Sequence, residues 1–421
     1  MNTPRRTLLK AALGTAGAMA GARLNIAKAQ SGPIRIGVMY ALSGVGAPVG
    51  QAFWTGTQLA AHQINKSGGL LGRQIELVVR DDKYNSATSV AAARELAGEG
   101  LNLLIGGSQT VTALGLAPLA PELKAVVMIA GAAGMPVTHE LFNRNIFRTV
   151  SNNYTAYSSL GRAMVERNPS VKTWISVAPD GDFGRDSARF FGAAVKKYSA
   201  KAGHPATVLD TVFAQATATD FKTQINAIMN TPAEGLYLAI AGAAQISFFQ
   251  QARSVGLYDK FKVMAEVGNE IVTAKAMGRN MPKDLWSVSY WNPGLEPFKS
   301  NPLSQQLFAD YTAMTNDKAP PGLVMAGHRS AMALFEGIRQ AKSTETDAVI
   351  AGLETAKIDT VGGPFYFRKE DHQAVCRNFF AHMQPDTAEP FYKVTEFAQV
   401  DSAEMIEPAG PGKAFDPDSV T

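Results

Sequence analysis

The stretch IRIGVMYALSG at residues 34–44, followed by QINKSGGLLGRQIELVVRDD at 63–82, decides how the rest of the chain is read. The first run is a short, largely apolar strand signal. The second ends an amphipathic stretch, 48–65, on Ser67-Gly68-Gly69 and starts another β-branched run at 75–80. Strand, helix and strand in that order, with strands apolar on both faces, predict a parallel sheet covered by helices on both sides. The alternation continues through helical 86–99, strand 103–105 ahead of Gly106-Gly107, helical 111–122 and strand 126–130. A second series starts near Thr155, with strands at 173–178, 207–213, 235–240 and 261–265. Residues 148–152 join the two series without a Pro/Gly-rich linker. Beyond 286–291 come helical stretches at 302–316, 325–342 and 346–356, strand-like runs at 365–368, 379–382 and 391–394, and a loose tail marked by Pro408, Pro411 and Pro417.

Residues 1–29 are expected to be a targeting segment. Arg5-Arg6 and Lys10 precede a weakly apolar Gly/Ala-rich stretch and then Ala27-Lys28-Ala29, a twin-arginine pattern with cleavage after Ala29 and a periplasmic destination. Setting aside Arg5, Arg6, Lys10, Arg23 and Lys28 from the 40 Lys and Arg leaves 35 bases against 36 acids, so the rest is near neutral. It has no basic excess to neutralise phosphates, which argues against a nucleic-acid partner. Cys376 is the one cysteine of the 421 residues, so no intramolecular disulfide can form.

The words quoted above resemble the opening of the periplasmic leucine/isoleucine/valine-binding proteins. LLIGG (103–107), NIFRTV (145–150), DGDFGR (180–185), TDFKTQINAI (219–228), FFQQARSVGL (248–257), VGGPFYF (361–367) and DHQ (371–373) carry the resemblance to about residue 397. It implies an α/β fold of two doubly wound parallel-sheet lobes joined by three crossovers, near 148–152, Tyr290 and 361–364. The first lobe would hold 33–151 and 291–361, the second 152–290 and 362–398, with 399–421 as a C-terminal tail. The implied function is capture of a small carboxylate-bearing solute, an apolar amino acid or related organic acid. Delivery would go to an ABC permease and its ATPase in the inner membrane, by a monomer without cofactor, metal or enzymatic activity. An aromatic acid is the alternative solute, and a ligand-sensing receptor component the alternative role.

Gly/Ser/Thr turns and helix starts after the first lobe's strands, at 107–112 and 130–134, suit a carboxylate. There the resemblance implies Thr110 as a side-chain donor, or equally a helix N-cap, and Ala132 as a backbone donor. At Gly134 the family's threonine is missing. Phe183 replaces a tyrosine, Val49 and Ala241 stand where the family has rings, and Tyr154 is a further aromatic candidate. Glu266, read as lying just after the strand 261–265, falls where the family binds an α-ammonium, with Glu270 as the competing register.

An exported dinucleotide-dependent oxidoreductase is the enzyme alternative, because Gly44-Val45-Gly46 and Gly50 sit between strand and helix. Pro48 lies inside that motif, its third glycine is one place late, and no acid follows at the ribose position. The six histidines show no metal-binding spacing, and no GxSxG elbow occurs.

Overall fold

The computed structural model describes residues 32–268, 270–388 and 391–420. The expected targeting segment lies outside the described residues. Strands β1 (Ile34–Tyr40), β2 (Ile75–Asp81), β3 (Leu103–Gly106), β4 (Val126–Ile129) and β5 (Ile146–Arg148) form a five-stranded sheet ordered 2-1-3-4-5. Every pairing in it is parallel. Helices α1 (Ala47–Lys66), α2 (Ser86–Gly98) and α3 (Thr110–Leu119) make the connections. Such an order reverses direction between β1 and β3, which leaves a crevice at the carboxyl ends of those two strands.

Asn152 caps α4 (Asn153–Arg167), accepting from the Thr155 N–H at 2.9 Å, and the pattern restarts. Strands β6 (Thr173–Pro179), β7 (Thr207–Val208), β8 (Val212–Ala214), β9 (Gly235–Leu238), β10 (Val263–Glu266) and β11 (Leu285–Ser289) repeat the doubly wound order, with β7 and β8 both pairing with β6. The strand expected over 207–213 is thus two short ones. The reversal here falls between β6 and β9. Helices α5 (Asp182–Lys201), α6 (Lys222–Met229), α7 (Gly242–Arg253), α8 (Leu257–Lys260) and α9 (Glu270–Met277) lie between the strands.

Helices α10 (Pro302–Thr315), α11 (Leu323–Ala341) and α12 (Thr346–Thr355) follow, and α11 and α12 return to the first sheet. Leu334, Phe335, Ile338 and Ile350 share one apolar core with Ile36, Val38 and Phe53. Glycines let α1 and α11 approach closely: a Cβ on Gly56 would overlap the Val324 carbonyl, and one on Gly327 the Phe53 carbonyl. Overpacking such a contact costs about 1–3 kcal/mol. Gly56→Ala is therefore expected to lower the urea midpoint without changing the fold; an unchanged midpoint would show that the helices can separate freely.

Two expectations are corrected. Strands β12 (Ile358–Thr360), β13 (Gly363–Phe367) and β14 (Ala374–Val375) form a separate small sheet, so 361–364 is a hairpin turn and not a crossing. Phe365, Phe367 and Ala374 pack in the first lobe's core, with the Phe147 and Phe367 rings 5.1 Å apart. The chain crosses only at Cys376, after which β15 (Arg377–Pro385) pairs antiparallel with β11 and β16 (Tyr392–Asp401) with β15. Residues 362–375 therefore belong with the first lobe, because alternate phenylalanines turn their rings into its core.

The tail is not loose. Met405 is buried among second-lobe residues, and Phe415 packs edge-on against Phe190 and His139. Arg189 pairs with Asp418. Glu407, 1% exposed, meets Asn152 Nδ2 at 2.7 Å, Thr155 Oγ1 at 3.2 Å and Arg368 Nη2 at 3.3 Å. His139 Nε2 stands 3.6 Å from Glu407, an ion-pair distance. The tail so touches the first lobe at His139 and the second at α4 and α5.

Candidate functional site

The two crevices face each other across a cleft of about 300 Å³. From the first lobe it is lined by Val49 and Phe53 on α1, Tyr84 after β2, residues 108–111 after β3, and Gly131 and Ala133 after β4. From the second come Tyr157 on α4, Phe183 opening α5, Ala241 after β9, and Val267 and Gly268 after β10. Tyr290, at the second crossing, and Leu323 close it. None of these described lining residues is charged.

The paired aspartates of the opening motif set the rim. Asp81 accepts from the N–H groups of Leu42 and Lys83 at 2.9 Å each and from the Ser43 hydroxyl at 2.6 Å. Asp82 accepts from the Tyr84 N–H at 2.9 Å. These bonds hold Lys83 and Tyr84 at φ of 52° and 59°, the left-handed region, and so place the Tyr84 ring at the cleft.

The start of α3 presents donors. Gln109 occupies the N-cap without a side-chain bond, and the first main-chain bond is Ala113 N–H to the Gln109 carbonyl, 3.1 Å. The N–H groups of Thr110, Val111 and Thr112 precede that bond and are the orphan donors of a helix start. Beside them Ser108 is 4% exposed, and its hydroxyl has no hydrogen-bond partner among the described residues. Thr110 is thus the first residue of the helix and not its N-cap. Its oxygen accepts the Gly134 N–H at 3.2 Å, which leaves its proton free to be donated into the cleft. A Cβ on Gly134 would overlap the Thr110 methyl, so the threonine at 110 occupies the space that a side chain at 134 would need.

Other expected residues fall elsewhere. Ala132 is 1% exposed and its N–H donates to the Gly107 carbonyl at 2.9 Å, so that donor is committed within the lobe. Tyr154 packs against Phe190, ring centroids 5.3 Å apart, and its hydroxyl donates to the Val420 carbonyl at 3.4 Å. It lies under the tail and not in the cleft. Tyr157 faces the cleft instead, about 60° round the helix at 3.6 residues per turn. Phe183 does line the cleft, edge-on to Tyr157 at 6.0 Å.

Glu266 is the last residue of β10 and not a loop residue, paired in register with Leu238 and Ser287. Its side chain is 0% exposed. The carboxylate accepts from Gln245 Nε2 and from the Gly268 N–H, each at 2.7 Å, and from the Ser287 hydroxyl. Thr273 steadies Gln245 by donating to its Oε1 at 2.6 Å. Glu266 therefore forms the hydrogen-bonded floor beneath Val267 and Gly268. The Glu270 side chain lies outside the described residues.

Ser108, Tyr84, Tyr157 and Tyr290 are cleft residues that sequence reasoning did not select. Ser108 had a usable signal, the Gly-Gly turn just ahead of it at the end of β3. No group of acidic, histidine or cysteine side chains among the described residues could hold a metal.

Two doubly wound lobes hinged over an uncharged, ring-lined cleft define a two-lobed solute-binding fold of the type I kind. The family profile of periplasmic binding proteins matches residues 33–388. The chain belongs to that family. It is similar to the leucine-, isoleucine-, valine-, threonine- and alanine-binding protein of Pseudomonas aeruginosa, 25% identical over 82% of this chain and 88% of that one. Among solved structures it resembles an ABC-type branched-chain amino acid transporter protein from Rhodopseudomonas palustris, with TM-score 0.73 at 25% identity, covering 90% of this chain and 99% of that one. A solute-binding protein from the same species, solved with 3,4-dihydroxybenzoic acid, shares the fold with TM-score 0.73 at 19% identity over 88% and 98% of the two chains.

Proposed function

We propose that this protein captures a small carboxylate-bearing solute between its lobes and delivers it, unchanged, to an ABC permease. The observation that carries the reading is the uncapped start of α3 beside the unpartnered Ser108 hydroxyl, both at the cleft. Helix N–H groups and their dipole favour an anion, and a buried hydroxyl without a partner gains most from one. The curated relative supports a transport role, since its name describes binding of small amino acids.

Binding without turnover has a direct signature. A matching solute should stabilise the folded protein by mass action, by about 2.7 kcal/mol at a hundred times its Kd. A thermal-shift panel of carboxylates, sugars and polyamines reads this, with chromatography of the recovered solute alongside. Stabilisation by carboxylates with full recovery is the expected result. A response confined to sugars or polyamines, or conversion of the bound compound, would defeat the proposal.

A further inference from the structure

We infer that the solute is an aromatic carboxylate without an ammonium group, an inference that rests on the function proposed above. An α-amino acid brings a positive charge into the cleft, and a buried charge needs an opposite partner. The described lining residues carry none. The acid nearest the floor, Glu266, is fully buried and its oxygens already accept bonds from Gln245, Gly268 and Ser287. Turning it towards a ligand would strand those three donors, one of which is fixed main chain.

The walls give the second half of the argument. Phe53, Tyr84, Tyr157, Phe183 and Tyr290 bring five rings to a cleft of about 300 Å³, from both lobes and the hinge. Rings gain from stacked or edge-on contact with another ring beyond the area they bury. A flat ring held between these walls would place its carboxylate at the α3 start, where Thr110 and Ser108 have hydroxyls to offer. The Tyr157 hydroxyl, which bonds to no protein group among the described residues, can serve a ring substituent.

A matched pair of ligands isolates the ammonium: 3-phenylpropionate and phenylalanine differ only by that group. Titration calorimetry of the intact mature chain with these two, with benzoate, 4-hydroxybenzoate and leucine added, separates the possibilities. The expected result is binding of the plain aromatic acids, with phenylalanine and leucine weaker by at least ~100-fold, the scale of an unpaired buried charge. Phenylalanine or leucine binding as tightly as 3-phenylpropionate would overturn the inference while leaving the carboxylate-capture reading intact. Binding of no carboxylate at all, acid or amino acid, would overturn both.

Discussion

Glu266→Ala is expected to lose on the order of 3–5 kcal/mol of stability in equilibrium urea denaturation. The substitution leaves the Gln245 amide, the Gly268 N–H and the Ser287 hydroxyl without their shared acceptor in a site that has no solvent exposure. A buried donor left unsatisfied costs about 1–3 kcal/mol, and three of them outweigh the side-chain area lost. Glu266→Gln should cost less, because one carbonyl oxygen remains to accept. Any loss of solute affinity should follow the loss of floor geometry, and be partly rescued in the Gln variant. An Ala variant with the wild-type urea midpoint but no amino-acid binding would identify Glu266 as a ligand group and contradict its place in the floor.

The second large effect concerns the buried acid at the hinge. Burial alone would raise the Glu407 pKa; its contacts with His139 and Asn152 and the Arg368 charge outweigh burial and bring it from an ordinary 4.5 to about 2. A folded-state value below the unfolded one stabilises the fold at pH above the unfolded pKa, and the gain is lost as pH falls through the folded pKa. Glu407→Gln should therefore be less stable than wild type by about 3 kcal/mol at pH 6, and by roughly half of that at pH 3. Denaturation of both proteins at the two pH values checks the sign. A gap that stays constant, or widens towards pH 3, would mean that Glu407 is not held ionised by its neighbours.

Much of the fold was legible because strand and helix impose different periods, and the α/β series of both lobes comes out within a few residues. The three helical stretches beyond residue 300 were equally clear, their apolar faces being set by packing on the first sheet. The third crossing was not, since the apolar pattern of 363–367 is the same whichever lobe receives Phe365 and Phe367. Tail order was hidden because Pro408, Pro411 and Pro417 suggest looseness, while the anchors Glu407 and Phe415 act through partners more than two hundred residues away in sequence. In the cleft, Thr110, Phe183, Val49 and Ala241 were placed near the ends of the right strands. Glu266 was misplaced by one position: an acid at the end of β10 reads as a solvated loop residue, and only the donors from α7 and β11 make it a buried one. Tyr154 was preferred to Tyr157 because a single helical turn decides between tail and cleft, and no local signal marks which ring the tail will cover.

The measurement nearest to the central claim is mass spectrometry of the small molecule released by denaturing protein purified from its native source. The account predicts one dominant organic acid, bearing a carboxylate and an aromatic ring, with no primary amine, recovered unchanged after incubation with the protein. A sugar, a polyamine or a chemically altered product in its place would contradict it.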